Sequence, residues 1–556
     1  MKKIVLGIST AFLLNLSASS YATTDILQND FQVTLEWLEQ KPKSYTKDFF
    51  ILQYLNQDNI SLDDATTAYN MANEANANVK KAYNKKFKTI PTEDLRCYNA
   101  TISELKEENS RCIALGLSLN EATEISKSDL NFFISKLDAY PTLKKDLQII
   151  ASDNPFNALV NSDFDRFNRL FFDFNKEYRI KFLNKAFSQE LIDKISKEKN
   201  FDRFLRYIVY EDGLSNLQKS LLNVKNNPTL ESDDLFTLGI NAINNNRNDI
   251  ALNFFNDANN KTFLRASKDK SLFWIYLLTQ NQTYLQELAQ SWDNNIYSLY
   301  AKELLGLEVD NIEYNIPLKN SKSSYDIYDP FEWIKVLEDT KKNFDEQKLA
   351  KYENLFSDEN TLAHHAFILE RFNKYKIQYF ITPYKEILKN YDINKQVLIY
   401  SIARQESHFI PSSVSVSSAL GVMQIMPFLS NNISKELNEN YNVYEQFIPD
   451  INIRYGNYHL DTLSKQFNNN PLFIAYAYNG GAGYTRSQLK KGLFSKKNRF
   501  EPFLSMEMMM NEESREYGKK VLANYVVYRH LLHDDVSISS LFEMLLKPSL
   551  SDRFRN

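Results

Sequence analysis

The low glycine content of this chain limits the folds open to it more strongly than any other sequence feature. Only 12 of the 556 residues are glycine, about 2%, whereas average usage is about 7%. Five of them precede position 421 and seven lie between positions 421 and 518. A β-rich or dinucleotide-binding fold needs more glycine for its turns and phosphate loops. The chain is therefore predicted to be mainly α-helical, with a compositionally distinct C-terminal part.

The long N-terminal part, residues 23–307, has the spacing of successive amphipathic helices separated by polar breaks. We predict an α-superhelical, solenoid-like region there. One unit matches the small and apolar positions of a tetratricopeptide-like helix pair, although an ordinary helical hairpin fits it equally well. That unit contains Leu238, Gly239, Ala251, Phe255 and Ala258.

Breaks in the helical period divide the rest of the chain. Asn, Ser and Pro residues interrupt it after position 307, which predicts a helical linker domain over residues 308–380. The glycine-containing part is predicted to form a domain of its own over residues 381–545, followed by a C-terminal tail over residues 546–556.

The N-terminus has the pattern of a secretory signal. Lys2 and Lys3 precede an apolar run from Ile4 to Leu16, and small residues lead to a predicted cleavage site after Ala22. A membrane anchor is the alternative, but the run is shorter than the roughly 20 residues that a bilayer span needs. We predict a signal peptide over residues 1–22, export, and no membrane span in the mature form.

The balance of charged residues and the cysteine content limit the kinds of partner and site that this chain can have. With 66 Lys+Arg against 70 Asp+Glu, the chain lacks the positive excess of a nucleic-acid coat, and we predict no nucleic-acid partner. Cys97 and Cys112 are the only cysteines. In an exported chain such a pair favours a disulfide over two buried thiols, and a metal site is less favoured still.

A carboxylate on an apolar helix face is the first chemical signal. A helix over residues 395–407 places Glu406 in the sector of Leu398, Ile399 and Ile402. Burial on that face should raise the pKa of its carboxyl group, as a general acid requires near neutral pH. The alternative is that Glu406 forms a structural ion pair with Lys395 or Arg404.

Four short elements follow one another in the C-terminal part: Glu406-Ser407, Gly421-Val422-Met423-Gln424, Ala477-Tyr478-Asn479-Gly480-Gly481, and Glu513-Ser514-Arg515-Glu516-Tyr517. Their order and spacing resemble the motif series of the soluble lytic murein transglycosylases. The direct match covers about residues 381–532. Ser418 and Val422 stand where that family usually has Gly and Leu.

The resemblance implies a goose-type lysozyme-like domain in which Glu406 is the single acid/base. It would cleave the β-1,4 bond between N-acetylmuramic acid (MurNAc) and N-acetylglucosamine (GlcNAc), leaving a 1,6-anhydro end. Most glycosidases instead need two carboxyl groups. No Asp or Glu occurs between Glu406 and Glu436, so a second one could only come from a distant position such as Glu513.

The resemblance also implies a set of site residues. Gln424 and Asn479 offer amides for N-acetyl groups, and Tyr478 offers a hydroxyl on an aromatic platform. The remaining residues are expected to line the cleft, to support Glu406 or to support the backbone. The residues expected to line the cleft or to support Glu406 are Ser415, Met426, Glu513 and Tyr517. Those expected to support the backbone are Ser407 and Gly421.

Together with the export signal, the resemblance thus implies a periplasmic peptidoglycan lytic transglycosylase that uses no cofactor and no metal. Its substrate would be peptidoglycan glycan strands, and its helical region could also contact cell-wall synthesis proteins. Two other functions stay open: a periplasmic scaffold whose enzyme-like domain only binds glycan, and a hydrolase that uses Glu406 with a remote carboxylate.

Overall fold

The structure is a computed structural model that describes residues 25–28, 30–73, 76–87, 92–319, 321–495, 498–532 and 536–555. The predicted signal peptide, residues 1–22, lies outside the described residues. None of the described helices is both long enough and apolar enough to cross a membrane. The predicted mainly helical fold is confirmed, since the described strands are two short segments.

The N-terminal part is a succession of short helices. Their bounds are Leu35–Glu39, Tyr45–Leu55, Leu62–Met71, Ala77–Phe87, Thr92–Asn99, Ile102–Leu105, Ser110–Gly116, Leu119–Ala122, Lys127–Lys136, Pro141–Ala151, Pro155–Val160, Phe164–Asp173, Lys176–Tyr178, Gln189–Ile195, Phe201–Tyr210, Ser215–Ser220, Ser232–Asn244, Asn248–Lys261, Arg265–Thr279, Gln282–Ala289 and Ile296–Leu305. The last five pack each on the next, as a helical solenoid does.

Two close approaches hold neighbouring helices of this region together. A Cβ atom on Gly239 would lie 2.5 Å from the ring of Phe255, so the two helices of the tetratricopeptide-like unit require glycine at this contact. Farther towards the N-terminus, Cys97 and Cys112 form the predicted disulfide between their two helices.

The middle part contains three helices, Pro330–Asp339, Glu346–Leu355 and Leu362–Phe372. It also contains both described strands, Ile312–Glu313 and Gln378–Tyr379, which pair in parallel with Ile312 opposite Gln378. These strands join the two ends of the segment that the sequence assigns to the linker domain.

The C-terminal part surrounds one long helix. Its helices are Lys385–Leu388, Ile393–Ser407, Pro427–Glu436, Pro449–Gln466, Pro471–Gly480, Ala482–Lys490, Phe503–Glu507, Glu512–Leu531, Ile538–Leu545 and Pro548–Ser551. The helix Glu512–Leu531 packs against both Ile393–Ser407 and Pro471–Gly480. Three of the four sequence motifs lie on these three helices.

The helical region contacts the C-terminal part at both of its ends. Near its start, the ring of Phe50 stacks on Tyr444 with centroids 5.8 Å apart, and Trp37 contacts Phe331 of the middle part at 5.6 Å. Near its end, Phe273 contacts Phe503 with centroids 4.8 Å apart. The superhelix is therefore closed by the C-terminal part, which the sequence did not predict.

Candidate active site

The helix Ile393–Ser407 positions Glu406 in its last turn. Asp392 caps the start of the helix by accepting a hydrogen bond from the Lys395 backbone N–H at 3.1 Å. The helix ends where His408 adopts a left-handed conformation with φ of 51°. Ser407, predicted to support the helix end, donates its hydroxyl hydrogen to the Val422 carbonyl at 2.7 Å and so fixes the helix to the following loop.

The two basic residues of this helix pair with other carboxylates. The Arg404 guanidinium contacts Glu370 at 2.5 Å, and the Lys395 ammonium contacts Asp461 at 3.0 Å. The alternative in which Glu406 forms a structural ion pair with Lys395 or Arg404 is therefore wrong.

Glu406 instead faces a cluster of aromatic side chains. The pKa of its carboxyl group is raised to about 7, mainly by burial and to a smaller extent by the nearby charge of Glu513. The buried Tyr517 hydroxyl opposes this effect, because it donates a hydrogen bond to Glu406 Oε1 at 2.7 Å. The side chain is therefore protonated in a substantial fraction of molecules at neutral pH, as a general acid requires.

Replacing Tyr517 with Phe is expected to raise the pKa of Glu406 above about 7, because the charged form loses a hydrogen bond. The alkaline limb of the kcat/KM profile should move to higher pH, since the acid stays protonated longer. We expect turnover to fall about 10-fold, which is the scale of one hydrogen bond to a charged group. Rates of muropeptide release from murein sacculi between pH 5 and 9 measure both effects.

Tyr528→Phe is the matched control for this prediction. Tyr528 is buried on the same helix, but its hydroxyl donates to the Ile381 carbonyl at 2.9 Å. Its removal should leave the alkaline limb in place. An unmoved limb in Tyr517→Phe would contradict the assigned hydrogen bond.

The loop over residues 411–426 carries the second motif and is held by backbone and side-chain bonds. Leu420 pairs with both Val414 and Ile425. The Ser415 hydroxyl accepts from the Ala419 N–H at 2.9 Å, so this predicted cleft residue also shapes the loop. Met426 is half-buried where the loop leads into the helix Pro427–Glu436.

Gln424 lies at the centre of this loop in a left-handed conformation with φ of 48°. Its amide nitrogen donates to the backbone carbonyls of Gly421 at 2.8 Å and Ser413 at 3.1 Å. Since the nitrogen is bound to the loop, the amide oxygen is the group left for a ligand N–H.

Gly421 is required by both conformation and space. Its φ is 77°, and an added Cβ would lie 2.2 Å from the Gln446 carbonyl oxygen and 2.6 Å from Asn452 Nδ2. Asn452 is fully buried. Its side chain accepts from the Met423 N–H at 2.7 Å and donates to the Leu420 carbonyl at 3.0 Å.

Gly421→Ala is expected to destabilise the protein by about 3 kcal/mol, from left-handed strain together with overpacking. It should also displace Gln424 and lower the rate of muropeptide release. Gly306→Ala separates the two causes, because Gly306 is left-handed with φ of 64° but has no neighbouring atom within 4 Å of an added Cβ. It should cost about 1 kcal/mol. Urea unfolding measures both variants, and equal losses would contradict the steric explanation.

The third and fourth motifs meet across the helices Pro471–Gly480 and Glu512–Leu531. Tyr478 donates its hydroxyl hydrogen to the Met423 carbonyl at 2.7 Å. Asn479 donates to the Glu513 carboxylate at 3.1 Å and accepts from the Ser514 hydroxyl at 2.7 Å. These polar groups, expected to meet substrate, are engaged within the protein, while the Tyr478 ring remains half-buried beside Glu406.

Three supporting residues were not predicted from the sequence. Asn452 and Ser514 hold the second and third motifs as described above. Glu370, from the middle part, is 1% exposed and accepts from Arg404, two residues before Glu406. Ser514 lies within a motif and could have been found there, whereas Asn452 and Glu370 gave no local signal.

The arrangement offers proton transfer but no metal site. Among the described residues, no group of three or more His, Cys, Asp or Glu side chains could hold a metal ion. The groups that come together are one carboxyl with a pKa of about 7, one hydroxyl donor to it, and an amide in a fixed loop.

Comparisons with known proteins agree with the motif resemblance. Residues 383–500 match the family model of the transglycosylase SLT domain. The predicted resemblance is confirmed. The soluble lytic murein transglycosylase of Escherichia coli (strain K12) is 30% identical over 219 residues, which are 38% of this chain and 33% of that protein. A putative soluble lytic murein transglycosylase of Haemophilus influenzae is 34% identical over 149 residues, 26% of this chain and 24% of that protein.

Only part of this chain aligns in sequence with these relatives. The match to the Escherichia coli protein spans about a third of that relative's length. Among solved structures, an inactive mutant of the lytic transglycosylase Slt from Pseudomonas aeruginosa has a TM-score of 0.44 at 16% identity, covering 89% of this chain and 83% of that one. The 70 kDa soluble lytic transglycosylase of Escherichia coli has a TM-score of 0.41 at 16% identity, covering 93% and 76%.

Proposed function

We propose that this chain is an exported lytic transglycosylase that acts on peptidoglycan glycan strands in the periplasm. It cleaves the β-1,4 bond between MurNAc and GlcNAc and leaves a 1,6-anhydro-MurNAc end. The observation that carries the proposal is the Glu406 carboxyl group, whose pKa burial raises to about 7 within an SLT-type motif set. The sequence relatives named as murein transglycosylases supply the substrate class.

Glu406 performs both proton transfers. Its protonated form gives a proton to the glycosidic oxygen as the bond from that oxygen to the MurNAc anomeric carbon breaks. The resulting carboxylate then takes the proton of the MurNAc 6-hydroxyl, whose oxygen bonds to the anomeric carbon. No water is consumed, and Glu406 ends protonated, as it began.

Tyr517 stabilises the intermediate state of this cycle. After the first proton transfer Glu406 carries a negative charge in a buried place, and the Tyr517 hydroxyl donates to it at 2.7 Å. A hydrogen bond to the charged form contributes more than one between neutral groups. Tyr517 therefore lowers the cost of the charge that exists only between the two steps.

The neighbouring residues bind the sugar. The Gln424 amide oxygen is assigned to an N-acetyl N–H, because its nitrogen is bound to the loop. The Tyr478 ring is assigned to sugar stacking. Asn479 orients Glu513 towards the cleft, Ser415 and Met426 border it, and Ser407 and Gly421 hold the backbone. Contact of the helical region with synthesis proteins stays a prediction.

A hydrolase is the second candidate, and one observation favours it. The charge of Glu513 is close enough to raise the pKa of Glu406, and a second carboxylate could activate water. Glu513 is exposed and bound by Asn479, which suits a binding role better than that of a buried base.

Digestion of purified murein sacculi with the mature chain tests the proposal. Wild-type protein should release muropeptides with anhydro ends, whose mass is one water lower than that of hydrolysed ends. Hydrolysed ends would instead establish the hydrolase. No release from wild type would favour the glycan-binding scaffold.

A further inference from the structure

A cavity lies where the superhelix, the middle part and the C-terminal part of the chain meet. It has a volume of about 340 Å³, and its lining includes Asp293 and Asn294 from the superhelix, Gln378 from the middle part and Lys520 from the helix Glu512–Leu531. The residues assigned above to the active site, including Glu406, Gln424, Tyr478 and Tyr517, are not part of its lining. The cavity is therefore separate from the site of bond cleavage.

One wall of the cavity presents an unsatisfied acceptor, the amide oxygen of Asn294. Asn294 is 5% exposed. Its amide nitrogen donates to the Asp310 carbonyl at 3.0 Å, but its buried amide oxygen has no hydrogen-bond partner. Buried polar atoms are rarely left in that state, so the free oxygen is a reason to expect a ligand donor.

Asp293, the preceding residue, adds a negative charge to the same wall. Its carboxylate accepts only amide hydrogen bonds, from Asn295 at 3.2 Å and from Gln378 at 3.4 Å. Among the described residues it forms no ion pair within 4.0 Å. The charges of Lys520 and Arg265 act on it only from a greater distance. A partly buried carboxylate without a direct cation is costly, and a ligand ammonium group would satisfy it together with the Asn294 oxygen.

The available positive charge of the cavity is Lys520. The three other Lys and Arg side chains of the lining are already paired: Lys270 contacts Asp233 at 3.6 Å, Lys519 contacts Glu507 at 3.0 Å and Arg404 contacts Glu370 at 2.5 Å. Lys520 is exposed and has no ion pair among the described residues. Its charge nevertheless acts on Asp293 from beyond ion-pair distance. A ligand carboxylate between them would complete the pairing.

We propose that this cavity binds a zwitterionic amino-acid group, with its ammonium on Asp293 and Asn294 and its carboxylate on Lys520. The mixed charge excludes a purely anionic or purely cationic ligand, because each leaves one wall unsatisfied. The choice of probe rests on the proposed function, since the peptide stems of peptidoglycan contain diamino acids. The binding measurement itself needs no cleavage.

Isothermal titration of the mature chain with meso-diaminopimelate tests the proposal. Pimelate, which lacks the ammonium groups, and cadaverine, which lacks the carboxylates, are matched controls. We expect saturable binding of diaminopimelate and binding at least tenfold weaker for each control. Asp293→Asn and Lys520→Gln should each weaken diaminopimelate binding at least tenfold. Because Lys520 is exposed, its substitution tests the site without a risk to folding.

Two results would overturn the proposal: no saturable binding to wild type, or binding that neither substitution weakens. These failures are distinguishable from failure of the proposed function. Sacculus digestion without diaminopimelate binding rejects only the cavity assignment. Binding without digestion rejects only the transglycosylase assignment.

Discussion

Glu406→Gln is expected to lower the rate of muropeptide release about 10³-fold, because one residue supplies both the acid and the base. The amide has the same shape but can neither give nor take the proton. Release of soluble muropeptides from sacculi measures the loss. Glu513→Gln is the comparison, since it removes a neighbouring exposed carboxylate and should cost less than about tenfold, the scale of one lost contact to a charged group. Equal losses in the two variants would contradict a single acid/base.

The same substitution should stabilise the protein at alkaline pH. The pKa of Glu406 is about 7 in the folded state against 4.5 as the ordinary value, so the folded chain holds its proton more tightly than the unfolded chain. Wild-type stability is therefore lost as pH rises from about 4.5 to about 7. Gln does not titrate, so the free energy of unfolding of Glu406→Gln should exceed that of wild type increasingly through this window. Urea unfolding at pH 5 and pH 8 measures the difference.

Arg404→Met is expected to cost about 3 kcal/mol or more of stability, because it leaves the Glu370 carboxylate buried without its main cation. Glu370 is 1% exposed, and its remaining partners are the Tyr379 N–H at 2.7 Å and His408 Nδ1 at 3.3 Å. Burial by itself raises the pKa of Glu370, but the charges and hydrogen bonds of Arg404 and His408 together outweigh burial and hold that pKa at about 2. Urea unfolding at pH 7 measures the loss.

Lys395→Met is the matched control on the same helix. It removes an ion pair with Asp461 in which both side chains are 38% exposed, and such pairs contribute at most about 1 kcal/mol. The double variant Arg404→Met/Glu370→Leu should recover part of the loss, since no unpaired charge remains. An Arg404→Met loss no larger than that of Lys395→Met would contradict the role assigned to the buried pair.

The helix that carries Glu406 could be predicted because the residues that indicate it are close together in the sequence. Apolar residues at helical spacing placed Glu406 on the buried face, and burial is the main cause of its raised pKa. The contact from Tyr517 joins residues 111 positions apart. It was expected only through the motif resemblance, because helical periodicity does not specify which helix packs against which.

Other features depend on tertiary packing and gave no sequence signal. The stacking of Phe50 on Tyr444 closes the superhelix on the C-terminal part, and neither residue differs locally from an ordinary core aromatic. Nor does the sequence show that the polar groups of Tyr478 and Asn479 bind partners on the adjacent loop and helix. A motif predicts which side chains lie close together. Whether their polar atoms remain unbound, and so available to a ligand, depends on the groups that pack beside them.

The ionisation of Glu406 tests the central claim most directly. Carbon-13 NMR of glutamate carboxyl groups, compared between wild type and Glu406→Gln, identifies the Glu406 signal as the one that disappears. The account predicts that this signal titrates with a midpoint near the pKa of about 7, and at higher pH in Tyr517→Phe. A midpoint close to the ordinary value of 4.5 would contradict the claim that burial prepares Glu406 as the acid.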